Sequence, residues 1–373
     1  MSLEGLLFWG EAIPLLLLIL VPLVLIHELG HFVVARLTHI RVLEFGLGFP
    51  PRAKVIGHDH ETEYTLNWLP IGGFVRLEGE EENSDDPRAF TNAPLRKQLV
   101  VLVAGVGMNV VTAMLLLFVV AWAFNPIMAP TMTLSNDPND PNTPARMAGL
   151  QDGETLISID GQPFQAQSVL EFTNSDVTQP WRQQLLSHAG EKVQLVVADT
   201  SGKQRTVDVQ LRVPDDKHPG ALGVALGSLV NSPGNPVQAA GLAVTGTGRA
   251  MSLILVALGD IGRQIATNPT SGPPGVQGPV GIASDVGHVA SQPNALMLLL
   301  LMMAVISANL ALVNVLPFPP LDGGKIVIMV LKRVFRAKGV GRVETFAYLA
   351  GFAFLIAFIS WITFFDIVRG GAP

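Results

Sequence analysis

Cysteine is absent from this chain of 373 residues, and charged residues are scarce. Without thiols the protein can form no disulfide bond, and any zinc site must be built from histidine and carboxylate ligands. Only 14% of the residues are charged, whereas a soluble protein typically carries about 25%. The net charge of -6 comes without a long basic run, so nothing indicates a nucleic-acid partner. Together these deficits favour a membrane protein.

Long apolar runs accompany this shortage of charge. A helix needs about 20 apolar residues to cross a bilayer, and four runs meet that length. They extend roughly from Leu6 to Leu37, Leu99 to Phe124, Ala295 to Leu316 and Phe346 to Val368. Basic residues concentrate between the first and second runs and between the third and fourth. Because such residues favour the cytoplasmic side, these two connections are predicted to face the cytoplasm and both termini to lie outside. No cleavable signal peptide is expected, because the first run is long and contains the candidate active site.

Four parts follow one another along the chain. Residues 1–125 contain the first two spans and, at about 40–78, strand-like pieces separated by Pro70-Ile71-Gly72-Gly73, which predict a re-entrant β-hairpin region. Residues 126–228 carry short strand and turn patterns that predict one compact α+β module outside the membrane. Residues 229–290 begin as a linker and continue as a helix that lies on the membrane surface or packs under the module. Residues 291–373 contain the last two spans.

A His-Glu-x-x-His pattern lies within the first span, at His27, Glu28 and His31. Two histidines four residues apart on a helix share one face and can bind one metal ion, and the adjacent glutamate can act as general base for the attacking water. Two incidental histidines on a helix are the alternative interpretation. Ionisable residues inside an apolar span are costly and by default functional, so the pattern predicts part of a zinc site.

A catalytic zinc keeps three protein ligands and one open position, so a third ligand is needed. Asp322 is the best candidate, because it follows a proline-rich break after the third span and precedes Gly323-Gly324, which allow close backbone approach. Taken alone, Asp322 fits equally well as the N-cap of a helix. Asn314 near the end of the third span could bind the substrate or the developing oxyanion, or join two helices. Asn109 in the second span has the same two interpretations, and neighbouring glycines favour packing.

Taken together, these elements resemble the site-2 protease family of intramembrane zinc proteases. The resemblance rests on His27-Glu28-Leu29-Gly30-His31 and on Asn314-x-x-Pro317-x-x-x-x-Asp322-Gly323. Further elements resemble the bacterial branch of the regulator-of-sigma-E protease type. They are Gly105 to Asn109, a β-loop with Pro70 to Val75, a PDZ-like module with Ile159-Asp160-Gly161, and Gly278 to Ile282.

The resemblance assigns a role to each candidate site residue. The implied Zn²⁺ ligands are His27, His31 and Asp322, and the implied catalytic base is Glu28. The implied substrate-contacting residues are Asn314 and Asn109, and Gly72 and Gly73 of the β-loop are further candidates for substrate binding. The implied fold is a polytopic α-helical membrane protein with about four transmembrane helices, a re-entrant β-hairpin region and one extracytoplasmic PDZ-like α+β domain.

The same resemblance implies a setting and a substrate class. The protein would be a multi-pass protein of the bacterial cytoplasmic membrane, in contact with the lipid bilayer. It would cleave transmembrane segments of single-pass membrane proteins, such as anti-sigma factors, or signal-peptide remnants. A metal transporter and an inactive PDZ scaffold are the alternatives, since polar groups in spans also mark ion paths. A single open site with an intact His-Glu-His and Asp set favours the protease. The sequence does not indicate an oligomeric state.

Overall fold

A computed structural model of the chain describes residues 3–59, 61–80, 84–134, 142–164, 167–171, 180–199, 201–215, 218, 220–231, 234–267, 277–334 and 341–368. It divides into two compact units. One unit combines Met1–Leu117 with Thr247–Pro373, and the other is Phe118–Gly246. The candidate metal ligands all belong to the first unit.

The described helices are, in chain order, α1 (Leu3–Leu37), α2 (Leu95–Ala123), α3 (Pro144–Met147), α4 (Pro180–Ser187), α5 (Pro236–Thr267), α6 (Pro279–Ala290), α7 (Ala295–Val315), α8 (Asp322–Val334) and α9 (Gly341–Val368). Short 3₁₀ turns cover Phe90–Asn92 and Val169–Glu171. The described strands are β1 (Val42–His58), β2 (Glu63–Leu77), β3 (Pro126–Leu134), β4 (Thr155–Ile159), β5 (Gln162–Pro163), β6 (Gln167–Ser168), β7 (Lys192–Ala198), β8 (Gln204–Gln210) and β9 (Val224–Asn231).

Among the described residues, five helices are long and apolar enough to cross a membrane. They are the segments Phe8–Leu37, Leu95–Ala123, Pro236–Gln264, Ala295–Val315 and Val343–Val368. Four coincide with the predicted spans. The fifth lies in α5, for which the sequence predicts a helix on the membrane surface or under the module. Its mean hydropathy of 1.5 is lower than the 2.1 to 2.6 of the others, so the count of four spans stays a prediction.

A carboxylate from the last helix holds the start of α6. Asp366 of α9 is buried, and its Oδ2 accepts hydrogen bonds of 2.9 Å from the backbone amides of Gly278 and Gly281. The first amides of a helix have no carbonyl partner within that helix, so a carboxylate at this end satisfies them. Gly278 leaves room for Asp366, because a Cβ there would lie 2.9 Å from Oδ2. This contact gives a physical reason for the Gly-Pro-x-Gly start of α6.

Strands β1 and β2 form a two-stranded antiparallel sheet in which β2 wraps around the first half of β1. Gly46 of β1, for example, is opposite Phe74 on one side and Thr65 on the other. The sequence predicts two separate pieces around Pro70 to Gly73, whereas β2 is one element that runs through them. Gly72 has a φ of +75°, which a residue with a side chain rarely adopts. The region 73–77 therefore becomes a sheet edge, paired only with β1 in the part of the chain that the structure describes.

A buried carboxylate holds this sheet together. Glu44 of β1 accepts a hydrogen bond from Thr65 Oγ1 at 2.8 Å and forms ion pairs with Arg52 and Arg76 at 2.8 and 3.1 Å. A buried charge is costly unless it is paired and hydrogen-bonded. These contacts therefore fix the register that the wrapped strand requires.

The second unit contains a seven-stranded sheet in the order β6-β3-β4-β7-β8, with β5 paired to β4 and β9 paired to β3. Its core includes Leu156, Ile159, Leu195, Val197 and Val209. The alternating burial of β7 follows the period of two that its sequence predicts. The predicted module of residues 126–228 falls within this unit, and its PDZ-like identity stays a prediction.

A buried carboxylate, Glu154, forms an ion pair within this second unit. Arg205 binds it with two hydrogen bonds, from Nε to Oε1 at 2.8 Å and from Nη2 to Oε2 at 2.9 Å, and the Gln151 amide donates at 2.8 Å. Burial opposes ionisation of the carboxyl. The guanidinium and the amide outweigh it and hold the pKa of Glu154 below its usual range. The bidentate pair joins β8 to the turn before β4.

Candidate metal centre

Three potential ligand atoms meet between α1 and the start of α8. His27 and His31 lie one helical turn apart on α1, and both are buried. The Nε2 atoms of the two rings are 3.1 Å apart. Oδ2 of Asp322 lies 3.0 Å from Nε2 of His27 and 3.2 Å from Nε2 of His31. The three residues that the sequence analysis selected are therefore brought together, although His27 and Asp322 are 295 positions apart.

The size of this triangle fits zinc. Two ligand atoms held about 2.0–2.1 Å from a tetrahedral zinc ion are about 3.3 Å from each other. The three observed separations lie close to that value, so the atoms can occupy three corners of one tetrahedron. The donor set of two imidazoles and one carboxylate also suits zinc, and it leaves the fourth corner free. Among the described residues, His27, His31 and Asp322 are the side chains whose ligand atoms lie close enough together to hold one metal ion.

Asp322 reaches the histidines because the chain doubles back between α7 and α8. It is the first residue of α8, after the proline-rich segment that ends α7. A Cβ on Gly323 would overlap with the carbonyl oxygen of Val315, and one on Gly324 would lie 2.5 Å from the carbonyl carbon of Phe318. The expectation that the two glycines permit close backbone approach is confirmed. At position 322 the carboxylate contacts both histidines, which supports the ligand interpretation.

The α2 helix forms one wall of the site through Val101, Gly105 and Asn109, which are spaced four apart. His31 Nδ1 lies 2.8 Å from the carbonyl oxygen of Val101 and donates to it when Nε2 holds a metal. A Cβ on Gly105 would overlap with His31 Nε2 and would lie 2.7 Å from Cε1 of His27. Asn109, one turn further on, places its side-chain amide 3.3 Å from Nδ1 of His27. The small residues of this helix predict close packing, and the structure shows that Gly105 specifically makes room for the imidazoles.

A small cavity of about 50 Å³ adjoins the ligands. It is lined by Glu28, His31, Val75, Leu77, Glu80, Val101, Leu102, Asp322 and Lys325. The volume and the polar lining are sufficient for water. Glu28 thus shares a space large enough for water with two of the potential metal ligands, as a general base acting on water requires.

The amino-acid sequence of this chain matches the model of peptidase family M50 over residues 15–358. The chain belongs to peptidase family M50, the site-2 protease family. Three relatives named "Putative zinc metalloprotease" extend along most of it. One from Clostridium perfringens is 32% identical over 358 residues, which cover 93% of this chain and 95% of the relative. One from Nostoc sp. is 30% identical over 323 residues, with 84% of each covered. One from Clostridium acetobutylicum is 28% identical over 347 residues, with 93% and 94% covered.

This M50 protein is therefore a zinc metalloprotease and a multi-pass membrane protein. Its site has the donor chemistry that family membership requires, since His27, His31 and Asp322 would hold zinc and Glu28 lies beside them.

Lys325 is a residue of the M50 site that the sequence analysis did not select. It lies three positions after Asp322 on α8, and it lines the same cavity. Its Nζ atom is 2.7 Å from Oε1 of Glu80, just beyond β2. The spacing of three on one helix face was the available signal, because such residues point in the same direction. Glu80 could not be found from sequence, because its contact depends on how the sheet packs.

The remaining predicted residues do not line the cavity of the M50 site. Asn314 is half-buried in the last turn of α7. Gly72 and Gly73 are buried against α1, where added Cβ atoms would lie 2.9 Å from Val24 and 2.6 Å from Leu25. These glycines bring β2 close to α1 just before His27. A role in substrate binding stays a prediction for all three and for Asn109.

Proposed function

We propose that this membrane zinc metalloprotease cleaves peptide bonds within the transmembrane segments of single-pass membrane proteins. The observation that carries the proposal is the position of the centre. His27, Glu28 and His31 lie inside the apolar helix segment Phe8–Leu37, and the third ligand follows the apolar helix Ala295–Val315 after a short proline-rich segment. Ionisable groups at that depth mark functional sites. A peptide bond that reaches them comes from a segment that is itself in the membrane.

Each polar group of the cavity has a distinct task in this proposal. Bound zinc supplies Lewis-acid polarisation of the scissile carbonyl and makes the attacking water more acidic. Glu28 accepts the proton of that water and passes it to the leaving nitrogen. Lys325 places a positive charge in the same cavity, where negative charge develops on the carbonyl oxygen. Glu80 fixes the lysine by its 2.7 Å contact.

The sheet edge at residues 73–77 supports a way of holding the substrate. A helical substrate hides its amides in internal hydrogen bonds, so it must be extended before it is cut. Extended peptides commonly bind by adding a strand to a free sheet edge. Val75 and Leu77 of this edge line the cavity beside Glu28. We therefore infer that the unwound substrate pairs with this edge and thereby presents its peptide bond to the zinc centre.

A proline at this sheet edge should weaken substrate pairing and leave zinc binding unchanged. Successive residues of a strand point their N–H groups in opposite directions, so one of Val75 and Arg76 donates toward the free side. We expect Val75→Pro or Arg76→Pro, whichever leaves zinc content and melting temperature unchanged, to slow cleavage of a transmembrane peptide about tenfold. That is the effect of losing one hydrogen bond of about 1.4 kcal/mol. Because Arg76→Pro also removes the ion pair with Glu44, it is compared with Arg76→Ala, which loses that ion pair but keeps the N–H.

Lys54→Pro is the matched control for this experiment. Lys54 lies on the opposite edge of the same sheet and is paired with Leu66. It is not among the residues that line the cavity. Cleavage should continue at the parent rate in this variant. Parental cleavage by the zinc-loaded variant at position 75 or 76 would exclude strand addition at this edge.

The setting of the reaction is inferred from the resemblance to the bacterial branch and from the bacterial sources of the relatives. We place the protein in the bacterial cytoplasmic membrane, with the β1–β2 sheet on the cytoplasmic side and the second unit outside as a PDZ-like domain. That domain would act as a size filter that admits substrates already trimmed outside. Anti-sigma factors and signal-peptide remnants are substrates of this kind, and their cleavage would be regulated intramembrane proteolysis.

The proposed function is tested with purified protein in lipid vesicles. The substrate is a peptide with one transmembrane segment and a polar tail, and mass spectrometry locates the cut. We expect cleavage within the apolar segment, its loss on treatment with a zinc chelator and its recovery when zinc is restored. Cleavage confined to the polar tail would overturn the intramembrane proposal. Zinc flux across the vesicles without any cleavage would favour the metal transporter.

A further inference from the structure

The Asn109 side chain is completely buried beside a metal ligand. It has no exposed surface, and Nδ2 of its amide is 3.3 Å from Nδ1 of His27. Its backbone carbonyl accepts a hydrogen bond of 2.9 Å from Ser307 Oγ, which is also fully buried. The residue is thus fixed between α1 and α7, away from the cavity that adjoins Glu28. A side chain in this position contacts the histidine and has no open path to a substrate.

The tautomer of His27 decides which atom of the Asn109 side-chain amide can face the ring. A histidine that holds zinc through Nε2 carries its proton on Nδ1 and donates from there. The amide nitrogen is also a donor, so the two groups repel when they face each other. Oδ1 of Asn109 has no hydrogen-bond partner among the described residues. The oxygen and nitrogen of an amide are assigned from the network around them, and turning this amide by 180° lets Oδ1 accept from Nδ1 of His27.

We propose that Asn109 is a positioning residue of the zinc centre, whose amide oxygen accepts the Nδ1 proton of His27 and fixes that ring for metal binding. The second histidine has an equivalent partner, because His31 Nδ1 lies 2.8 Å from the Val101 carbonyl. One face of α2 therefore orients both imidazoles. The proposal rests on the zinc site alone and is independent of which substrate the enzyme cleaves.

Zinc affinity of the purified full-length protein tests the proposal without any measurement of cleavage. Asn109→Leu keeps the size and removes the acceptor, whereas Asn109→Asp keeps an acceptor at the same place. Loss of an outer partner of a metal-binding histidine typically weakens metal binding about 10–100-fold. We expect that loss in a chelator competition with the leucine variant and near-parental affinity with the aspartate variant. The visible spectrum of the cobalt-substituted protein should change in the leucine variant only.

Two further variants complete the experiment. Thr112→Val is the matched control, since Thr112 lies on the same helix and its Oγ1 bonds to the carbonyl of Met108; its zinc affinity should be parental. Asn109→Ser is too short to reach His27, and it replaces the leucine variant if that protein does not fold. Parental zinc affinity in the leucine or serine variant would overturn the proposal. Equal losses in the aspartate and leucine variants would overturn it in favour of a packing role.

Discussion

Glu28→Gln is expected to abolish peptide hydrolysis while zinc stays bound. Glutamine has almost the same shape as glutamate but cannot accept the proton of the attacking water. Loss of a positioned general base typically costs about 10²–10⁴-fold in rate. Glu28 lines the cavity and is not one of the three clustered ligand residues, so metal analysis of the purified variant should find zinc at the parental level. Cleavage of a transmembrane peptide and zinc content are measured on the same preparation.

Glu11→Gln serves as the control for this substitution. Glu11 is an exposed glutamate on the same helix, well before the metal ligands. Its variant should bind zinc and cleave at the parental rate. Turnover by Glu28→Gln near the parental rate would rule out Glu28 as the base. Loss of zinc from that variant would instead assign Glu28 to the assembly of the site.

Gly105→Ala is expected to disrupt the metal centre with a single added methyl group. The new Cβ would overlap with Nε2 of His31, the atom that faces both His27 and Asp322. Forcing an extra carbon into a packed site costs about 1–3 kcal/mol, and here the imidazole must move to relieve it. We expect zinc affinity to fall about tenfold to a hundredfold, with a parallel loss of cleavage. Chelator competition measures the first and the peptide assay the second.

Gly107→Ala separates this effect from any change in the helix itself. Gly107 is on the same helix, and a Cβ there would meet no atom within 4 Å among the described residues. Alanine favours helix more than glycine by about 1 kcal/mol, so both substitutions should strengthen α2 equally. The control should therefore keep full zinc affinity. Equal behaviour of the two variants would mean that Gly105 does not shape the site.

The parts of the site that the sequence predicted are those encoded by short spacing. His27 and His31 are one turn apart, so their shared face follows from helix geometry alone. Asp322 was found because a proline break and two glycines mark an unusual backbone next to an apolar span. The α+β module of residues 126–228 was predicted from short strand and turn patterns, such as the strand that ends in the Asp160-Gly161 turn. In each case a few neighbouring residues contain the whole signal.

The features that the sequence did not reveal depend on contacts between distant elements. The pairing of Gly46 with both Phe74 and Thr65 requires β2 to wrap around β1, and no local pattern specifies that register. The contact of Lys325 with Glu80 joins residues 245 positions apart. The space at Gly105 is explained only when the imidazoles of α1 are in place. Small residues on a helix predict close packing, but they do not identify the group that packs there.

The long separation of the ligands along the chain has a consequence for biosynthesis. Asp322 is the 295th residue that the ribosome adds after His27. Until α8 has been made, a nascent chain can offer the metal two imidazoles and no third ligand. A catalytic zinc ordinarily has three protein ligands, so the growing polypeptide carries an incomplete centre through most of its synthesis. Proteolytic activity therefore requires the start of α8 to have reached α1, and the chain has no complete centre before that point.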